Sequence, residues 1–228
     1  MINLSLTVLP KGLTMRGKWP LLRPNKNIRE DVWLYPGWED TALIRLKAFL
    51  LLQGFNSILL STPCLTDALQ AWCRNFRIVP QPRIMLKHDK TAFHPAPAFA
   101  KRQLRLTNGE VLHHCRIAVT CANLTLASVD HWYSPERISN HQIGIESSLT
   151  ATLQTSLHRE LLESKILWSM LPSHLDPIKK NHCPRRLRIP RRILQHYSVS
   201  YGADNQPYSL ALETYMNGIF AFPLNSFS

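Results

Sequence analysis

The chain has 228 residues, 45% hydrophobic and 9% aromatic, enough to bury one substantial core or at most two small ones and too much for a disordered chain. Its 27 Lys and Arg against 15 Asp and Glu leave a formal net charge of +12, which predicts an anionic partner or substrate. The five cysteines are an odd number for a disulfide scaffold and form no Cys-x-x-Cys, so a zinc ribbon or thioredoxin-type site is not supported, and they read as reduced, cytosolic thiols.

Residues 1–30 hold Pro10, Pro20 and Pro24 without a clear period and read as an irregular arm ahead of a single domain over 31–228. The first ten residues place no basic residue before a short apolar run that Pro10 breaks, a poor secretory signal, and the expected location is cytoplasmic. Trp33, Tyr35 and Trp38 read as core packing, with a lid as the alternative. Over 39–52, Ala42, Leu43, Leu46, Phe49 and Leu50 recur at helical spacing, and Gly54 is expected to stop that helix. The apolar stretch 41–60 carries Arg45 and Lys47, so no membrane span is assigned. A second helix is expected to start with Thr62 as cap and Pro63 in its first turn, with Leu65, Ala68, Leu69 and Trp72 on one side.

The pattern then shifts towards period two. Residues 111–120 and 124–133, joined by Cys121-Ala122-Asn123, fit an antiparallel hairpin. Residues 153–168 (LQTSLHRELLESKILW) read as a helix. A second hairpin spans 191–201 and 207–217 around Gly202-Ala203-Asp204-Asn205-Gln206. Together these predict one α+β domain, an antiparallel sheet with helices packed on it.

Strand alternation sorts the candidate site residues. In the last strand, Ser209, Ala211, Glu213 and Tyr215 share a face, so Glu213 lies among small neighbours; on residue pattern alone it is a solvated glutamate or the wall of a cavity. In the first hairpin, His114 and Arg116 share a face with Leu112 and Ala118, while His113, Cys115, Ile117 and Val119 take the more apolar, core side. A guanidinium fork with an adjacent imidazole suits a small carboxylate, and two exposed basic residues would look the same.

Several strings resemble, in order, the chorismate pyruvate-lyase family over roughly residues 60–217. Cys64-Leu65-Thr66-Asp67 resembles a segment that contributes a pocket-lining apolar side chain, here Leu65. Residues 112–128 (LHHCRIAVTCANLTLAS) resemble the family's central hairpin. Thr155-Ser156-Leu157-His158-Arg159 is similar to its Thr-Pro-Leu-Gly-Arg turn, in which Leu157 would close over the ligand ring. Pro207-Tyr208-Ser209-Leu210-Ala211-Leu212-Glu213 resembles the final strand, which makes Glu213 the expected catalytic residue.

That resemblance implies a chorismate lyase-like fold with helical flaps over an internal ligand cavity. The implied reaction is elimination of pyruvate from chorismate to give 4-hydroxybenzoate, with no cofactor and no metal. The family's substrate-binding Arg falls on His114, with Arg116 one same-face step away, and His131 is the rough counterpart of a second basic residue. The implied ligand is a small anionic aromatic or pre-aromatic carboxylate. The same fold occurs in effector-sensing domains of bacterial transcription regulators, but residues 1–60 are too short and irregular for the helical DNA-binding domain those carry. Two alternatives follow, a non-catalytic domain of the same fold that binds small aromatic acids, and a basic polyanion-binding protein.

The polyanion reading rests on residues 179–192, with seven Lys or Arg and no acid. Pro184 and Pro190 exclude a recognition helix and no aromatic is present for stacking, so nucleic acid is not the expected partner and the run reads as a basic loop entering a strand. His113, His114, Cys115 and Cys121 do not form a metal set, because neighbouring strand residues point to opposite faces.

Overall fold

In the computed structural model the described residues are 33–62, 64–89, 94–107, 109–139, 158–168, 186–202 and 204–222. The expected arm at 1–30, Leu157 and most of the flap-like string 155–159 lie outside them. So does the first half of the basic run, 179–185.

The expected α+β architecture is present. Six antiparallel strands form the main sheet in the order β2 (Ile84–Asp89), β3 (His113–Cys121), β4 (Leu124–Tyr133), β8 (Pro207–Met216), β7 (Arg192–Tyr201) and β5 (His158–Ile166). Both expected hairpins, β3–β4 and β7–β8, form within a residue or two of their predicted limits. A separate two-stranded ribbon pairs β1 (Trp33–Glu39) with β6 (Arg186–Ile189). In β6, Leu187 and Ile189 are buried while Arg186 and Arg188 face outward, the period-two pattern of a ribbon lying on a core.

Helix α1 (Ala42–Ser61) begins at an N-cap where the Thr41 hydroxyl accepts from the Ile44 N–H. It runs through Gly54 rather than ending there, because Phe55 and Leu59 continue the buried stripe that Ala48 and Leu52 begin. Continued burial outweighs the roughly 1 kcal/mol that a mid-helix Gly costs. This is the one described helix long and apolar enough to cross a membrane. Here its stripe packs on the sheet, with the Phe55 ring 5.0 Å from Trp72 and 5.4 Å from Tyr215.

Helix α2 (Leu65–Asn75) starts later than expected, with Cys64 at its N-cap and Thr62 closing α1 instead. The predicted face is right, since Leu65, Ala68, Leu69 and Trp72 are all buried, and the Trp72 indole N–H donates to the Ile219 carbonyl at 2.8 Å. That carbonyl belongs to a 3₁₀ turn, Asn217–Phe220, in which a Cβ on Gly218 would stand 2.6 Å from the Thr125 carbonyl oxygen. Only glycine permits that approach. Trp38 is core, as expected, against Phe220 and Phe222.

One element differs in type. The helix expected over 153–168 is, where described, strand β5, paired with β7 from His158↔Tyr201 to Ile166↔Leu194 with a bulge between Leu161 and Glu163. Its Leu, Glu and Lys content favours helix, but pairing with an interior strand prevails over local propensity, as it commonly does at sheet edges.

The sheet is covered on both sides. Helices α1 and α2 pack on the face carrying Ile117, Val129, Ala211 and Tyr215. On the other, Trp132, Val199, Leu210 and Leu212 pack with Ala100 and Leu104, the first residue and the C-cap of the short helix α3 (Ala100–Gln103).

Candidate functional site

Register fixes what surrounds Glu213. It stands opposite His196 on β7 and Val129 on β4, and one same-face step away Ala211 stands between Ser198 and His131. One step further, Ser209 lies between Ser200 and Tyr133. The α1-covered face thus carries a polar strip from Ser209 to Glu213, about 13 Å long at the usual strand rise.

Glu213 is 2% exposed, so it is not the solvated glutamate that most exposed sheets would show. Arg159 of β5 donates to Oε2, the Tyr215 hydroxyl donates to the same oxygen at 2.5 Å, and the Ser198 hydroxyl donates to Oε1 at 3.2 Å. Burial opposes the Arg159 charge, but Glu213 and Tyr215 outweigh it and hold the guanidinium above its ordinary value. Burial and then the Glu213 charge push the Tyr215 phenol well up, so it stays a hydrogen-bond donor. Arg159 sits opposite Ser200, and its reach to Glu213 runs across the rows of Ser198 and Ala211, where small side chains leave room.

The imidazoles beside this pair are neutral at pH 7. Burial pulls both His131 and His196 down to about 4, only partly offset by the Glu213 charge. His196 Nε2 lies 2.7 Å from the Asn56 Oδ1 of α1, which makes Nε2 the protonated nitrogen and leaves Nδ1 an acceptor. That Nδ1 faces Glu213 Oε2 at 3.9 Å, two acceptors with no donor between them. Among the described residues, the buried polar atoms that lack a hydrogen-bond partner include His196 Nδ1, His131 Nδ1, Ser209 Oγ and Arg159 Nε on this face, and Ser134 Oγ beyond the end of β4. An orphaned buried polar group costs about 1–3 kcal/mol, and several gathered on one strip mark a place where something else supplies the bonds.

His114 and Arg116 do not join this site. Arg116 pairs in register with Asp130, and both lie on the opposite face from Glu213, so the convergence of these basic residues with Glu213 on one ligand does not occur. Arg116 Nε and Nη2 hold Asp130 Oδ1 and Oδ2 at 2.8 and 3.0 Å, and His114 Nε2 lies 3.0 Å from Oδ1. The His94 backbone N–H donates to His114 Nδ1 at 3.3 Å, and Arg116 Nη2 lies 3.0 Å from His94 Nδ1. Burial pulls the His114 pKa down, against the pull of Asp130.

His94, His114 and Asp130 also offer one ligand atom each within 4.8 Å of one another. The hydrogen bonding works against ligation there. His114 accepts on Nδ1 and so carries its proton on Nε2, the nitrogen a metal would need bare, and Arg116 already occupies both Asp130 oxygens.

Leu65 is buried in the main core on the α1–α2 side, and His131, opposite Ala211, is the predicted substrate residue that shares the Glu213 face, one step along it. Burial raises the Cys73 and Cys115 thiols to about 12, which suits packing rather than nucleophilic attack. His196 could have been found by counting back from the 202–206 turn, since hairpin register sets it opposite Glu213. Asn56 and Arg159 arrive from distant elements, and no local signal pairs them with the last strand.

No family model matches the sequence. The "Uncharacterized protein y4mC" of Sinorhizobium fredii is 27% identical over 205 residues, 85% of each chain. Among solved structures, PhnF from Mycobacterium smegmatis superposes with a TM-score of 0.40 at 9% identity, covering 84% of this chain and 90% of that one. The effector domain of PhnF gives 0.39 at 10%, covering 67% and 87%. A GntR-family transcriptional regulator from Enterococcus faecalis gives 0.31 at 10%, covering 57% and 88%.

Proposed function

We propose that this chain is a non-catalytic small-molecule-binding domain whose ligand sits between the sheet and α1, on the strip from Ser209 to Glu213. The observation that carries the reading is the gathering of unpartnered buried polar atoms, His131 Nδ1, His196 Nδ1, Ser209 Oγ and Arg159 Nε, along one strip. A small polar molecule reaching them exchanges its water for these bonds and removes a cost the unliganded protein carries. Of the charged pair, Arg159 is the more exposed side chain, at 15% against 3% for Glu213.

The lyase reading asks Glu213 to exchange a proton with substrate. Its oxygens already accept three hydrogen bonds, and its charge is matched by Arg159, which suits a fixed anchor better than a proton carrier. A melting-temperature screen with 4-hydroxybenzoate, chorismate and neutral sugars, run beside an assay for 4-hydroxybenzoate formed from chorismate, separates the two. The binding reading expects a saturable rise with one of these molecules and no product. Product formation that disappears in Glu213→Ala replaces it with the lyase, and the absence of any rise removes it.

A further inference from the structure

The chemistry of the strip narrows the ligand class. Glu213 and Arg159 cancel one another's charge, and the two imidazoles beside them contribute none. An added anion would sit next to the Glu213 carboxylate in a buried setting with no spare cation among the site's own residues. Such a placement is costly.

The open positions are of both kinds. His196 Nδ1 can only accept, its proton being fixed on Nε2 by Asn56, while Arg159 Nε–H can only donate. Ser209 can do either. A hydroxyl both donates and accepts, whereas a carboxylate only accepts and leaves His196 Nδ1 unsatisfied. The strip also runs about 13 Å along the strand, with the small side chains of Ser209, Ala211 and Ser198 along it. Resting on the binding reading above, we propose that the ligand is a neutral polyhydroxylated small molecule of the sugar or polyol class. One hydroxyl would donate to His196 Nδ1, and another would accept from Arg159 Nε and bond to Ser209.

Ser209→Ala is the informative variant, because it deletes a buried hydroxyl that lacks a partner and so leaves the fold at least as stable. Calorimetric titration of the full chain with D-glucose, D-ribose, myo-inositol and 4-hydroxybenzoate at millimolar concentration avoids the unspecific stabilisation that polyols give at high concentration. The expected result is saturable binding of a neutral probe, weakened about tenfold by Ser209→Ala, the worth of one hydrogen bond. Binding of 4-hydroxybenzoate without any neutral probe overturns the ligand class and leaves the binding domain standing. A neutral probe bound equally by wild type and Ser209→Ala overturns the placement on this strip. Failure of all four to bind contradicts both the class and the domain's proposed role.

Discussion

The two faces of the sheet each carry a carboxylate, an arginine and histidines, and they use them in opposite ways. On the α3 side, Asp130, Arg116, His114 and the His94 backbone form a closed set in which each named group meets another. On the α1 side, Glu213 and Arg159 are paired, yet the two histidines, Ser209 and the Arg159 Nε are left with unanswered polar atoms. The same residue types therefore build a latch on one face and a receptive strip on the other. Composition does not separate these roles; the hydrogen-bond inventory does.

The largest expected difference between the faces is in acid. A histidine held at about 4 in the folded protein takes up no proton until well below the point near 6.5 at which the unfolded chain does. The unfolded state therefore binds more protons between these values, and stability falls as pH drops from about 6.5 to about 4. His131 and His196 are each expected to contribute on the order of 3 kcal/mol to that loss, and His114, also lowered, adds to it with the same sign. Urea unfolding across that pH range should show the acid limb, and His131→Asn should flatten it. A stability that stays level down to pH 4 would contradict the burial of both rings as neutral species.

Breaking the latch comes next. Arg116→Met leaves Asp130, 8% exposed, with His114 as the hydrogen-bonded side chain that remains, and is expected to cost about 3 kcal/mol in urea unfolding. Ligand binding on the far face should be unchanged once the protein is folded. A large loss of binding in that variant would mean that the two faces are not independent. The smallest effect belongs to Ser209→Ala, expected to change stability by about 0–1 kcal/mol, in the stabilising direction. A destabilisation beyond about 1 kcal/mol would show that Ser209 already has a partner.

Much of this arrangement was legible in the sequence where contacts are local. The hairpins β3–β4 and β7–β8 followed from alternation and turn composition, and alternation also grouped Ser209, Ala211 and Glu213 on one face. Comparing the faces of the two hairpins requires the β4–β8 register, a contact between distant segments, and without it His114 and Arg116 could not be seen to point away from Glu213. The strand β5 was hidden by helix-forming residues whose conformation is set by β7, and with it went the partnership of Arg159 and Glu213. The ribbon strand β1 was obscured by Pro36 and Gly37, which fall within its register shift.

The most direct test is nitrogen NMR of the histidine rings during titration of the full chain with D-glucose, D-ribose and myo-inositol. With the probe that binds, the Nδ1 resonance of His196 is expected to move as a hydroxyl donates to it, and that of His131 to move as its buried Nδ1 gains a partner, while those of His114 stay where they are. Binding that leaves His131 and His196 unmoved, or that shifts His114 instead, would contradict the assignment of the receptive strip to the Glu213 face.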